Sequence, residues 1–180
     1  MPGAAKPHIV AGMPMYNEEE TIGSVVTRAL RYVDEVICID DGSSDASARI
    51  AEACGATVIR HRVNRGYGGA LKTLFLRASE LDVDALVLLD SDGQHETKDI
   101  PKILKPILDG EADFAIGSRF VDGGGGTDMP AYRRLGIKVI TAASNLSSDL
   151  GIKDTQSGFR AFSRTALERL RFDSEGMELS

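Results

Sequence analysis

Asp84-Ala85-Leu86-Val87-Leu88-Leu89-Asp90-Ser91-Asp92-Gly93-Gln94-His95 is the stretch that decides the reading. Five apolar residues run without a break into Asp-Ser-Asp-Gly. The run is too short for helical spacing, so it predicts a strand buried on both faces, as in a parallel sheet. Gly93 lets the chain turn at once, so both carboxylates can face one point. Two carboxylates at one point repel each other unless a cation stands between them. A hard divalent ion takes such oxygen ligands and leaves positions open for phosphate oxygens. Read alone, such a pair is more often a solvated turn than a metal site.

Upstream, His8 to Met13 predicts a first strand that ends in Pro14-Met15-Tyr16-Asn17-Glu18. Asn17, with Glu20 three residues on, has the form of a capping box. Ile22, Val25, Val26, Ala29 and Leu30 then make one helix face. Glu35 to Ile39 predicts a second strand, ending in Asp40-Asp41-Gly42-Ser43-Ser44-Asp45. Ser43 or Ser44 is placed to cap a helix that closes at Gly55. Thr57 to Ile59 predicts a brief third strand. Asn64-Arg65-Gly66-Tyr67-Gly68-Gly69-Ala70 follows, and Leu71, Leu74, Phe75 and Ala78 recur at helical spacing. A glycine-rich loop opening a helix presents N–H groups suited to phosphate, but this spacing is neither that of a Walker loop nor GxGxxG, and a plain tight turn fits equally.

Downstream, Ile100, Ile103, Leu104, Ile107 and Leu108 form another helix face, stopping at Gly110, with Pro106 expected to kink or break it. Asp113 to Gly117 predicts a fifth strand leading to Ser118-Arg119. Residues 121–128 are so glycine-rich that a mobile loop is expected. Pro130 is read as starting a helix through Leu135, Val139, Ala142, Leu146 and Leu150, with Arg133 and Arg134 in its first turn. Cations there oppose the helix dipole, an arrangement suited to an anion or to plain solvation. Asp154 to Arg160 is read as joining that helix to a last one, Arg164 to Leu170. The end of the chain, Glu175 to Ser180, lacks a terminating signal, so a longer parent protein is expected.

Strand and helix alternate from His8 to Gly117, which predicts an α/β domain with a mostly parallel central sheet flanked by helices. Ligands of such sheets bind beyond the C-terminal strand ends. The polar clusters at 14–18, 40–45, 90–94 and 118–119 all fall at such ends, which points to one site. The chain has 180 residues, 42% apolar and 27% charged, enough for one domain with a real core. A net charge of −6 gives no electrostatic footprint for nucleic acid. Cys38 and Cys54 make no disulfide framework and read as small core residues of a reducing compartment. No signal peptide is apparent at the N-terminus, and no apolar run approaches the ~20 residues of a membrane span.

Pro14-Met15-Tyr16-Asn17-Glu18, Asp40 to Asp45, Asn64-Arg65-Gly66, Asp90 to Gln94, Gly117-Ser118-Arg119 and Asp154 to Arg160 occur in that order. Together they resemble a family 2 glycosyltransferase with the GT-A (nucleotide-diphospho-sugar transferase) fold, in the dolichol-phosphate mannose synthase and polyprenyl-phosphate glycosyltransferase branch. The resemblance covers roughly 8–170. It implies one catalytic domain over 1–180: a nucleotide-sugar half at 7–120, a mobile acceptor loop at 121–130, and an acceptor half at 131–180 truncated at its C-terminus. It implies inverting transfer of a hexose from GDP-mannose or UDP-glucose to a polyprenyl or dolichyl phosphate at the membrane surface. Pro14, Tyr16, Asn17, Glu18, Asp40, Asp41, Asp90 and Ser91 would hold the nucleotide sugar. Asp90, Asp92 and Gln94 would bind Mg²⁺ or Mn²⁺. Ser118, Arg119 and Arg133 would hold the acceptor phosphate. Asp92 and Asp154 would be catalytic, Asp154 as base or as orienter of the acceptor; its bland role is to cap the turn around Gly158. No nucleic-acid partner is implied. A cytoplasmic-side location tethered through segments outside this chain is, and homo-oligomerisation is left open.

Two other classes remain. A sugar-phosphate nucleotidyltransferase would share the layers and the metal acids, but it carries a basic glycine-rich loop after the first strand, where this chain has acidic Pro14 to Glu18. A receiver-like, non-enzymatic metal-binding module would need an acid pair on the first strand, where Pro14 stands.

Overall fold

The computed structural model describes residues 6–93, 96–117, 137–140 and 158–176, and at 137–140 and 171–176 the backbone alone. In chain order the elements are β1 Ile9–Met15, α1 Ile22–Ala29, β2 Glu35–Asp40, α2 Ser47–Ala53, β3 Thr57–Arg60, α3 Gly66–Glu80, β4 Ala85–Leu88, α4 Ile100–Leu108, β5 Phe114–Gly117, β6 Ile137–Ile140, β7 Arg160–Ser163 and α5 Arg164–Gly176. The strands form one seven-stranded sheet in the order β3-β2-β1-β4-β7-β5-β6. β1, β2, β3 and β4 pair in parallel, and β7 is antiparallel to both β4 and β5. The fold class is therefore the expected one, an α/β layered domain with five strands running one way and two the other.

The run Ala85 to Leu89 is buried on both faces, as its composition predicts. Alternation decides which side each residue serves. Leu86 and Leu88 join Val10, Ile37, Ile39 and Phe162 beneath α3 and α5. Ala85, Val87 and Leu89 join Ala11, Met13, Val36 and Cys38 beneath α1, α2 and α4. Fully burying one such leucine stabilises the fold by about 1.5–3 kcal/mol. The α1 and α4 stripes are buried at Ile22, Val25, Val26 and Ala29 and at Ile100, Ile103, Leu104 and Ile107.

Several local expectations are overturned. α1 begins at Ile22 behind Thr21, so Asn17 and Glu20 form no capping box. Asn17 adopts φ 55°, a left-handed conformation that asparagine tolerates. From there its N–H donates to Ser43 Oγ (2.9 Å) and its Oδ1 accepts the Ser44 N–H (2.9 Å). Ser43 and Ser44 are thus engaged with Asn17, and α2 starts later, where Asp45 Oδ1 accepts the Ser47 N–H at 2.9 Å. α4 runs through Pro106 without a break. Pro106 stands in its last turn, where the ring is buried and at most one helical hydrogen bond is forgone.

The helix expected from Pro130 is contradicted at 137–140, which is strand β6, antiparallel to β5. Ile-Lys-Val-Ile is β-branched, and β5 offers it an open edge. The last connection is also more than a link. Residues 160–163 insert as β7 between β4 and β5, where a buried Ala161 and Phe162 satisfy two ladders at once.

Gly12 on β1 lies under α3, where a Cβ would overlap Cδ1 and Cδ2 of the fully buried Leu74. Gly12→Ala is expected to lower stability by about 1–3 kcal/mol by overpacking, read as a lower urea midpoint at unchanged m-value.

Candidate functional site

The C-terminal ends of β1, β2 and β4 meet beside the first turn of α3 in an open cleft of about 320 Å³. It is lined by Pro14, Met15, Tyr16, Glu18, Asp41, Asn64, Gly66, Tyr67, Ala70, Asp90, Ser91 and Asp92. Its origin lies in the alternation. Val10 and Gly12 lead to Pro14, Ile37 and Ile39 lead to Asp41, and Leu86 and Leu88 lead to Asp90. Under α3 those positions are apolar or glycine. Past the helix start at Gly66 the cover ends, and the next positions on β2 and β4 carry carboxylates. The chain also changes direction here: β2 and β3 lie to one side of β1, and β4 lies to the other, which makes the crevice at their ends a topological switch point.

The rim is cross-tied. Ser91 is buried and its Oγ donates to the Pro14 carbonyl at 2.9 Å, joining the ends of β4 and β1. The Asp41 N–H donates to the Met15 carbonyl at 2.9 Å. The Glu18 N–H donates to Ser47 Oγ (2.7 Å), and its carboxylate accepts the Thr21 hydroxyl (2.9 Å).

Asp40 and Asp41 divide their work. Asp40 is wholly buried, accepts the Ser43 N–H (3.0 Å) and Arg60 Nε (2.9 Å), and does not line the cleft. Asp41 does. Its Oδ1 lies 2.6 Å from His61 Nδ1 and accepts the Arg65 N–H at 2.9 Å. His61 Nε2 meets Thr73 Oγ1 at 2.8 Å, which ties the pair back to α3. Burial works to raise the Asp41 pKa, but the hydrogen bonds from His61 and the backbone N–H groups of Arg65 and Gly66 outweigh it and hold the carboxyl below its usual range. The Tyr67 phenol is pushed up by burial and by the charge of Asp90, against the opposing charge of Arg160. The Cys38 thiol, raised to about 12 by burial and by Asp40, is no nucleophile at neutral pH.

Seven of the residues singled out from the sequence therefore share one cleft: Pro14, Tyr16, Glu18, Asp41, Asp90, Ser91 and Asp92. Asn17 and Asp40 stand beside it, bonded to the 43–44 turn and to β3. Gln94, Ser118, Arg119, Arg133, Asp154 and the loop 121–130 lie outside the described residues. The sequence alone assigned no site role to Asn64, Tyr67 or Ala70, although all three fall in the glycine-rich stretch Asn64 to Ala70 that opens α3. It also left Arg160 unassigned, at the cleft end of β7.

Among the described residues no group of three or more His, Cys, Asp or Glu side chains forms a self-sufficient metal cage. Asp90 and Asp92 nevertheless fit Mg²⁺ or Mn²⁺. Such an ion is commonly held by one or two carboxylates, with waters and substrate phosphates completing the shell.

Residues 11–171 match the family Glycosyl transferase family 2. The chain is 32% identical to UDP-N-acetylglucosamine–dolichyl-phosphate N-acetylglucosaminyltransferase of Methanococcus voltae, over 88% of this chain and 70% of that one. It is 32% identical to dolichol-phosphate mannosyltransferase of Pyrococcus furiosus, over 93% of this chain and 49% of that one. Among solved structures it resembles Mycobacterium tuberculosis glucosyl-3-phosphoglycerate synthase in complex with Mn²⁺, UDP-glucose and phosphoglyceric acid. There the TM-score is 0.60 and the identity 28%, over 89% of this chain and 58% of that one. The chain thus spans about three-fifths of the solved protein and about half of the Pyrococcus enzyme.

A carboxylate whose folded pKa is depressed stabilises above its unfolded pKa and loses that contribution as pH falls through the folded value. Asp41→Asn is therefore expected to cost about 1–3 kcal/mol at pH 7, with the gap to wild type closing below about pH 4. Thermal unfolding at pH 7 and pH 3.5 reads both halves of the statement.

Proposed function

The chain belongs to glycosyl transferase family 2, and from that membership we propose that it transfers a hexose, with inversion, from a nucleotide-diphosphate sugar to a polyprenyl or dolichyl phosphate. The observation that carries the reading is the convergence of three strand ends, Pro14 to Glu18, Asp41, and Asp90 to Asp92, on one open cleft. The names of the Methanococcus and Pyrococcus relatives support a lipid-phosphate acceptor. The Mn²⁺ and UDP-glucose of the solved relative support a metal-bound diphosphate donor.

Pro14, Tyr16 and Asp41 would hold the nucleoside, with Glu18 beside them. Tyr16 is half exposed, so its ring is free to lie against a base. Asp90 and Asp92, with Gln94, would hold Mg²⁺ or Mn²⁺. When bound, the ion neutralises the diphosphate and makes it a better leaving group. The acceptor phosphate must reach the anomeric carbon from the face opposite the diphosphate, so positioning supplies much of the rate. Ser118, Arg119 and Arg133 would do that positioning, because the planar arginine fork binds two phosphate oxygens at once. A phosphate acceptor is already ionised at neutral pH, so Asp154 is assigned chiefly to orienting it. The loop 121–130 would close over the acceptor and keep water from the anomeric carbon. A lipid acceptor would put the reaction at a membrane surface, and the cytoplasmic side is proposed with it. No helix among the described residues is long and apolar enough to cross a membrane.

Calorimetry with UDP- and GDP-sugars, with Mn²⁺ and with EDTA, tests the donor half. The wild type is expected to bind one of the two nucleotide classes at least about tenfold more tightly with metal, or about 1.4 kcal/mol. Asp92→Asn is expected to lose that increment and keep the metal-free affinity. Equal wild-type affinity with and without metal would sink the assignment of Asp90 and Asp92.

A further inference from the structure

The register between β4 and β7 sets Leu88 against Arg160 and Leu86 against Phe162. Continued one step past the strand ends, the same register sets Asp90 against Gly158. In an ordinary cross-strand pair the two side chains stand side by side on one face. Here one of them is absent. A Cβ built on Gly158 would overlap Cγ, Oδ1 and Oδ2 of Asp90 together. The whole carboxylate thus occupies the place where a side chain at 158 would be. Backbone conformation does not impose glycine, since Gly158 is not among the residues with positive φ. Space does.

Gly158 itself is buried and held from its other side. The carbonyl of Phe159 accepts the Gly117 N–H at 2.9 Å, and the Phe159 ring fills the space that a Cβ on Gly117 would need. Arg160 is laddered to β4 and β5 on either side. The chain that follows 158 is thereby tied to both neighbouring strands, and the Asp90 side chain lies against Gly158.

We propose that Gly158 is a positioning residue for Asp90: the space left by its missing side chain seats the carboxylate in the one orientation that meets a divalent ion bound to a nucleoside diphosphate. The inference rests on the assignment of Asp90 as a cation ligand. A methyl group at 158 denies the carboxylate its seat and turns it to another rotamer, although Asp90 is still present. The second half of the chain therefore sets the geometry of the ion site that the first half supplies.

A double-mutant cycle tests this with Gly158→Ala, Asp90→Ala and the double variant. Two readouts are taken on the full chain: Mn²⁺ affinity in the presence of UDP or GDP, from the paramagnetic resonance of free Mn²⁺, and the urea midpoint. Gly158→Ala is expected to weaken Mn²⁺ about 10- to 100-fold, as loss of an orienting partner does, with nucleotide affinity in EDTA unchanged. It should also lower the urea midpoint. In the Asp90→Ala background, Gly158→Ala should cost nothing further on either readout, because the new methyl enters the vacated space. A Gly158→Ala chain that folds only together with Asp90→Ala supports the same conclusion. Wild-type Mn²⁺ affinity in Gly158→Ala, or losses that simply add in the double variant, would overturn it. If the wild type itself shows no metal-dependent nucleotide binding, the cation assignment fails, and the seat then stands or falls on the urea half of the cycle.

Discussion

The Asp41 carboxylate fixes where α3 begins. It accepts the Arg65 N–H, holds His61 on the same oxygen, and through His61 reaches Thr73, about two turns along the helix. The first N–H groups of a helix have no partner within it and carry the positive end of its dipole. Asp41 takes the N–H of Arg65 just before the helix, Asn64 Oδ1 takes that of Gly66 at 2.9 Å, and the carboxylate's charge is favourable at this end. Moving the start of α3 by one turn would cover Pro14 and Asp90 with helix, or strip cover from the apolar strand residues beneath it, such as Ile39 and Leu88. The boundary between core and cleft is set at this point.

The acidity of the cleft follows a related logic. Glu18, Asp41, Asp90 and Asp92 all line it. A nucleoside diphosphate brought there adds more negative charge, and two like charges about 4 Å apart repel by about 4 kcal/mol at an effective dielectric of 20. Asp41 is already balanced by His61 and the helix N–H groups. A divalent ion between carboxylate and phosphate would turn that repulsion into shared coordination.

Much of this was legible in the chain, for identifiable reasons. Ala85 to Leu89 announces a strand buried on both faces because no other short element tolerates five apolar residues in a row. The stripes of α1, α3 and α4 follow from their spacing. Asn17 misled because the residue type that caps helices is also the type that adopts positive φ, and sequence does not separate the two. Ile137 to Ile140 misled because Leu135, Val139 and Ala142 also match helical spacing, and their β-branched neighbours were outweighed. β7 offered four residues without periodicity, since a strand covered on both faces need not alternate. In the site, acidic strand ends were legible as a group. The split between Asp40 and Asp41 was not, because the phase of alternation at a strand's end depends on what packs against it.

Gly158 belongs to the same class of hidden information. A glycine reports what it lacks, and what fills the vacancy lies 68 positions away in the chain at Asp90. Inserting β7 between β4 and β5 brings the two together, with Gly117 and Phe159 closing the other side. Gly117 is also the residue from which the chain leaves β5 toward Ser118 and Arg119. One short antiparallel strand thus touches the end that bears Asp90 and the end that leads to Ser118 and Arg119. A sheet built only of parallel β–α units would have kept those ends apart, each served by its own loop. The reversal at β7 lets the backbone of the later half of the chain act directly on a carboxylate of the earlier half.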